Sequence, residues 1–236
     1  MELDVHLHTI SSGHATSDTM TAMAQSAAAK NLKMIGFSDH GPATAGSAKP
    51  SYFRSLHNAP KRRWGVDILY GVELNILDYN GQIDLPDQIL TGLDYGIISM
   101  HIANIRPGSA KENTAGYIEG MKHPNVKIIG HCDDNHYPVN YESLLAAAIK
   151  HGVVFEINNS SLSPEGYRGD TTANNRRILE LCKKYNHPVL LASDSHGIDH
   201  IGNFQYAKAL LNTISFPKHL ILNYSSEQFL KIIRQK

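Results

Sequence analysis

The chain has 236 residues, 42% of them hydrophobic and 19% charged, and its 22 lysines and arginines are matched by 22 aspartates and glutamates. That balance excludes a global positive field of the kind that recruits nucleic acid, and the apolar content excludes a disordered chain. No apolar run approaches the ~18 residues of a membrane span, no basic and apolar leader opens the chain, and Cys132 and Cys182 make no disulfide framework, so a cytoplasmic protein is expected.

In chain order, the first apolar run is L-D-V-H-L-H at 3–8, read as a strand with Asp4, His6 and His8 on one face and Val5 and Leu7 on the other. A helix is expected over 18–31 with Ser17 as its N-cap, followed by strand two at 34–38, which runs into S-D-H. Residues 41–64, rich in Pro, Ala, Ser and basic side chains, read as a long functional loop with at most one helix. Strand three at 68–74 contains Glu73 in G-V-E-L-N, strand four at 95–100 ends in S-M-H, and a helix over 110–122 precedes strand five at 127–130, which ends in G-H. A helix over 141–151, strand six at 153–157, a helix over 172–185 and strand seven at 189–193 follow, the last running into S-D-S-H; helices over 204–213 and 226–234 finish the pattern.

Alternation of strands and helices without a composition break or repeat predicts one α/β domain over 1–236, a closed or nearly closed (β/α)7 barrel, with an open doubly wound sheet as the alternative. In both architectures the site lies at the C-terminal ends of the strands.

Fourteen histidines make one H-x-H close to a chance event, with about 0.8 expected at this composition. A histidine at a strand end is ordinarily a hydrogen-bonded structural residue. Yet six of the seven expected strands deliver a ligand type at the same end: His6 with His8, His40, Glu73, His101, His131, and Asp194 with His196. Burying so many polar groups without strong partners is costly, and divalent metal supplies such partners. His14, in the loop S-S-G-H-A, is added to this set. Asp39 would face away from His40 along a strand and is assigned to orienting an imidazole, while Asp4 is either a similar support or a structural hydrogen-bond acceptor. His136 and His200 are close enough in sequence to be rim residues, whereas His57, His123, His151, His187 and His219 are left outside. Cys132 reads as a small buried hydrophobe, with thiolate ligation as the alternative.

Seven imidazoles and two carboxylates exceed the roughly four groups that one zinc uses, so two or three metals are expected, with Glu73 able to bridge ions ~3.5–4 Å apart. Imidazole-rich ligation favours Zn or Fe over Mg or Ca, and the carboxylates admit Mn. Three divalent ions against two carboxylates leave a charge of about +4, which suits a phosphate. Water on such ions ionises near pH ~7 and furnishes a hydroxide in line with phosphorus, and no Ser or Cys nucleophile motif competes with it. Arg106 and Arg168, with Asn158, are the expected substrate contacts; Lys49 and Arg54 are further basic residues at the same end.

The series D-V-H-L-H-T, S-D-H-G, G-V-E-L-N, His101, G-H at 130–131 and S-D-S-H, in that order, resembles the motifs of the PHP (polymerase and histidinol phosphatase) family over nearly the whole chain. With E-I-N-N-S-S at 156–161, it is most similar to the small stand-alone bacterial phosphatase branch. The resemblance implies a distorted (β/α)7 barrel and a trinuclear centre that hydrolyses phosphoesters. It implies that His6, His8, Glu73 and Asp194 hold one metal, that Glu73 bridges to a second held by His101 and His131, and that His14, His40 and His196 hold the third. Where the family commonly has Pro after the strand-five histidine, this chain has Cys132, Asp133 and Asp134, a change that bears on the rim. The expected activity is a metal-dependent phosphomonoesterase acting on a small phosphorylated metabolite by metal-bound hydroxide attack, with Glu73, Asp194 and Asp39 as its catalytic carboxylates. The alternatives are a phosphodiesterase or exonuclease on nucleic acid, disfavoured by the neutral charge balance, and a non-catalytic metal-binding regulatory module.

Overall fold

Strand runs of Val, Ile, Leu, Phe and Tyr, each separated from the next by a connection long enough to cross over, are free to pair in parallel. In the computed structural model, which describes residues 1–234, these runs become β1 (Leu3–His8), β2 (Met34–Phe37), a two-residue β3 (Arg62–Arg63), β4 (Val66–Asn75), β5 (Tyr95–Ser99), β6 (Val126–Ile129), β7 (Val154–Asn158), β8 (Val189–Ala192) and a short β9 (Ser195–His196). Their hydrogen-bonded order is β8-β7-β6-β5-β4-β2-β1-β9, all parallel, with β3 antiparallel on β4. The sheet curls into a distorted (β/α) half-barrel.

β8 and β9 stand at opposite ends of this order, yet only Ser193 and Asp194 separate them in the chain. The curl therefore brings the two edges together, and side chains complete the junction. Asn223, buried in the turn Leu222–Tyr224, donates to the carbonyls of Leu3 at 3.1 Å and Leu191 at 2.8 Å and accepts from Leu191 N–H at 2.7 Å. Asp4 accepts from the N–H groups of Ser193 at 3.3 Å and Gly202 at 2.8 Å. These bonds stand where ladder bonds would, since buried backbone groups must find partners.

A bulge in β1 decides which of its side chains reach the interior. Asp4 pairs with Ile35 and Leu7 with Phe37, so three steps along β1 oppose two along β2. Leu3 and Val5 join the inner apolar cluster with Tyr95, Ile97, Ile128 and Leu190; past the bulge, His6 and His8 meet the same interior and Leu7 turns to the outer core. The simple alternation expected from sequence is thus corrected: Asp4 does not share the face of His6 and His8, and it fastens the junction instead of an imidazole.

Helices α1 (Met20–Ala29), α2 (Pro50–Ser55), α3 (Asp87–Leu90), α4 (Ala110–Gly120), α5 (Tyr141–His151), α6 (Thr172–Lys184), α7 (Gln205–Thr213) and α8 (Ser226–Ile233) complete the structure. α8 closes the N-terminal end of the strands, with Phe229 set edge-to-face on Tyr95 at 6.4 Å and Ile233 in the same inner cluster. The first helix begins later than expected: Thr19, not Ser17, caps it by accepting from Ala22 N–H, because the Asp18 carboxylate is held by Ile198 N–H at 2.8 Å. The irregular stretch 41–64 holds α2 and β3, and α3 was not legible from apolar period. No helix among the described residues is long and apolar enough to cross a membrane.

Replacing Asn223 by Ala leaves one N–H and two carbonyls unpaired at the junction. At roughly 1–3 kcal/mol for each buried group left unsatisfied, with partial relaxation, the loss of unfolding free energy is expected to be about 3 kcal/mol in urea denaturation. A loss below about 0.5 kcal/mol contradicts the closing role.

Candidate metal centre

The parallel strands deliver their polar ends to one place. β1 brings His6 and His8, the segment after β2 brings His40, β4 brings Glu73, and the segments after β5 and β6 bring His101 and His131. Asp194 lies between β8 and β9, His196 on β9, and His14 follows the turn Ile10–Ser12. All nine residues expected from sequence converge. His14 is exposed, yet its ring lies 4.9 Å from that of His40 and 5.2 Å from that of His196.

Glu73 is the hub, with 1% of its surface exposed. Its Oε1 lies 2.8 Å from His131 Nε2, 3.4 Å from Nε2 of both His6 and His101, and accepts from Ser99 Oγ at 2.7 Å. Oε2 lies 2.8 Å from His40 Nδ1 and 3.4 Å from His8 Nε2. Asp194 Oδ1 faces His8 Nε2 at 3.3 Å and His6 Nε2 at 3.7 Å. Two of these residues hold a left-handed backbone unusual for side-chain-bearing residues, His131 at φ 22 and Asp194 at φ 54. Such conformations cost of order 1–3 kcal/mol each and persist where the surroundings over-determine them.

The imidazoles of His6, His8 and His101 are aimed from behind. Glu156 on β7 bonds His6 Nδ1 with one carboxylate oxygen and accepts from His131 N–H at 2.7 Å with the other. Asn75 Oδ1 lies 2.7 Å from His101 Nδ1. Ser12 Oγ meets His8 Nδ1 at 3.0 Å and donates to Asp39 at 2.7 Å. Asp39 also accepts from Thr9 N–H and from Tyr52 OH at 2.6 Å, so it reaches His8 through a hydroxyl and touches no imidazole itself. Glu156 was missed as a site residue because β7 ends in no histidine or aspartate. Its signal lay in the period-two pair Glu156 and Asn158, which repeats the Glu73 and Asn75 pattern of β4.

Several of the buried atoms that face one another lack hydrogen-bond partners: Nε2 of His6, His8, His101 and His196, Nδ1 of His40, and Oε2 of Glu73. His40 Nδ1 and Glu73 Oε2 approach closely but out of hydrogen-bond alignment, as lone pairs aimed at a common third body would. Three overlapping groups, His6 with His8 and Asp194, His8 with His40 and His196, and His40 with Glu73 and His101, have ligand atoms close enough to hold an ion. The donor set of imidazole and carboxylate suits Zn, Mn or Fe.

Protonation agrees with this use. Burial holds the imidazoles of His8, His14, His101 and His196 below their ordinary range, His101 to about 4, with neighbouring imidazoles adding to it. They are neutral at pH 7, with lone pairs available. For His6 burial acts downward as well, but the carboxylates of Glu156, Glu73 and Asp194 outweigh it and hold the ring well above its ordinary range. Burial pushes Glu73 and Asp194 upward, yet the surrounding imidazoles, and Arg168 for Asp194, keep both carboxyls well below it. Burial also keeps the Cys132 thiol protonated, its pKa raised well above the usual value.

A cavity of about 650 Å³ opens over the cluster, with Arg168 in its wall. That guanidinium is 4% exposed, lies 3.4 Å from Asp194 Oδ2, and leaves its Nε without a partner. Asp134 Oδ2 stands 3.9 Å from this nitrogen, so an acidic residue of the altered rim faces Arg168. The other expected substrate contacts lie elsewhere. Arg106 is exposed and is not part of the cavity wall, with its carbonyl taken by Tyr79 OH. Asn158 is fully buried, its amide donating to Glu156 and Asp194, so it braces carboxylates. His200 lines the cavity, and His136 is held to Asp134 outside it.

The family model described as PHP domain matches residues 4–232. A "Probable phosphatase" of Clostridium novyi is 38% identical over 234 residues, covering 99% of this chain and 95% of its own. Histidinol phosphate phosphatase from Lactococcus lactis, solved with zinc, L-histidinol and phosphate, is 18% identical with a TM-score of 0.63, over 92% of this chain and 94% of its own. A chain from the structures of the metal-dependent tyrosine phosphatases YwqE of Bacillus subtilis and CpsB of Streptococcus pneumoniae is 18% identical with a TM-score of 0.59, over 98% of this chain and 93% of its own.

A protonated His6 in the metal-free protein has a consequence for uptake. Zinc binding at pH 7 is expected to release about one proton per chain from this ring, read by titration calorimetry in buffers of differing ionisation enthalpy. Glu156→Gln removes a main cause of the raised pKa and should reduce both the proton release and the zinc affinity, the latter by about 10–100-fold. Ser12→Ala is expected to weaken affinity over the same range by freeing His8; unchanged affinity in both variants contradicts the supporting roles.

Proposed function

The chain belongs to the PHP domain family, and from that premise we propose that it is a metal-dependent phosphatase that hydrolyses small phosphomonoesters at a centre of three divalent ions. The observation that carries this reading is the convergence of partnerless imidazole and carboxylate atoms around Glu73, beneath a cavity whose wall contains a buried arginine. His6, His8, Asp194 and Glu73 would hold one ion, Glu73, His101 and His131 a second, and His14, His40 and His196 a third. When bound, zinc, or manganese or iron in its place, supplies the Lewis acidity that neutralises a phosphoryl group and acidifies the attacking water.

The remaining chemistry falls to the chain. Arg168 is a permanent cation in the cavity wall that would counter the charge of a phosphoryl group, with its terminal nitrogens held by Asp194 and Ser161 and its buried Nε turned towards Asp134. Glu156, Asn75 and the Asp39–Ser12 pair keep the ring nitrogens in one tautomer and orientation. A small phosphorylated metabolite fits the cavity volume, and the histidinol and phosphate in the Lactococcus lactis structure support that class. The balanced charge of the chain favours a small ester over a nucleic-acid backbone.

A panel of phosphorylated metabolites and single-stranded DNA, assayed with elemental analysis of the protein and with or without chelator, tests the proposal. Monoester hydrolysis should fall by more than about 100-fold on chelation and return with zinc or manganese. Replacing His6 or His8 should lower metal content and activity together while the barrel stays folded. Arg168→Ala should raise KM for every monoester. Less than one metal per chain without phosphoester hydrolysis, or processive DNA degradation without monoesterase activity, overturns it.

A further inference from the structure

Hydrolysis of an alkyl phosphate needs a proton for the departing alcohol as well as a nucleophile, and none of the groups considered so far supplies it. Of the side chains around the cavity, His14, His40, His101, Asp194 and His196 belong to the cluster, where imidazoles must be unprotonated to bind metal. The Arg168 guanidinium does not give up a proton in the working range, and serine and threonine hydroxyls are far too weak as acids. Two candidates are left, the phenol of Tyr167 and the imidazole of His200.

His200 has the better position. A second cavity of about 360 Å³ shares Ser160, Asp194 and His200 with the first, so the imidazole stands at the junction between the metal cluster and a side chamber. That chamber is walled by Asn159, Ser163, Glu165, Gln205 and Tyr206, polar groups able to receive an alcohol. Neither ring nitrogen of His200 holds a hydrogen bond among the described residues, and the residue is exposed, free to meet a ligand and to exchange protons with solvent. The charged groups facing the junction are Asp194 and Arg168 on the cluster side and Glu165 in the chamber. Tyr167 is 65% exposed, with its ring 4.6 Å from the Arg168 guanidinium; burial outweighs that cation and raises the phenol to about 12, a far weaker acid than an imidazolium, and Tyr167 is not in the wall of the side chamber.

Resting on the phosphatase reading above, we propose that His200 is the proton donor to the leaving group, with the alcohol directed into the side chamber. As the oxygen of water bonds to phosphorus, the ester P–O bond breaks and its electron pair stays on the alcohol oxygen, which takes the imidazolium proton. The proton lost by the attacking water restores the imidazolium through solvent, so ester and water give alcohol and phosphate. Imidazole is the side chain best matched to such transfer near neutral pH, and general acid catalysis contributes typically about 10²–10⁴-fold.

The dependence on leaving-group acidity tests this. His200→Ala and His200→Gln are assayed with glycerol phosphate, whose alcohol needs the proton, and with 4-nitrophenyl phosphate, whose phenolate departs with far less help. Metal content and thermal midpoint are checked alongside. The expected result is a loss of kcat/KM on glycerol phosphate at least about tenfold greater than on 4-nitrophenyl phosphate, with the alkaline limb of the glycerol phosphate profile flattened. Equal losses on both esters, no loss on the alkyl ester, or the alkyl-selective loss in Tyr167→Phe instead, overturn the assignment while leaving the phosphatase reading intact. A wild-type holoenzyme that hydrolyses neither ester brings down the phosphatase reading and the proton donor with it.

Discussion

A carboxylate sealed from water among five imidazoles is the constraint around which this molecule is built. Glu73 reaches His6, His8, His40, His101 and His131, and among the described residues no lysine or arginine forms an ion pair with it. In an interior of low dielectric, such a group is tolerable only when its partners are fixed in place. The parallel sheet provides that fixity. Each strand contributes its C-terminal end, so groups far apart in sequence meet without any one loop having to carry them.

Rigidity comes from a layer behind the rings. The Glu156 carboxylate serves two histidines at once, and Asp39, through Ser12, stiffens a third while also tying Thr9 and Tyr52. Glu156 holds the left-handed backbone at His131 through its N–H, and Asn158 and Arg168 hold the carboxylate of Asp194, whose backbone is also left-handed. Local strain placed at ligand-bearing residues and sustained by surrounding bonds is the pattern expected of a site shaped for binding, not for stability.

The cluster was legible in the sequence because a parallel sheet turns linear order into shared position: a ligand type after each apolar run falls at the same end. The fold followed from the same rhythm of strands and helices. What escaped were features that depend on a neighbour. The bulge that turns Asp4 away from His6 comes from pairing with β2 and cannot be read from β1 by itself. The cap moved from Ser17 to Thr19 because a residue 180 positions away occupies Asp18. Arg106 and Arg168 look alike as loop arginines, and only tertiary packing buries one beside Asp194 and leaves the other in solvent.

The junction of the sheet and the cluster share one stretch of chain. Asp194 occupies the two-residue link between β8 and β9, and β9 pairs with the strand that carries His6 and His8. During synthesis the two histidines leave the ribosome well before Asp194, which follows nearly 190 residues later. At about 5–20 residues per second that interval is roughly 10–40 s. The sheet edges cannot meet, and the cluster cannot be completed, until the last strands arrive, so a chain ending before Asp194 carries most of the histidines and Glu73 without the segment that gathers them.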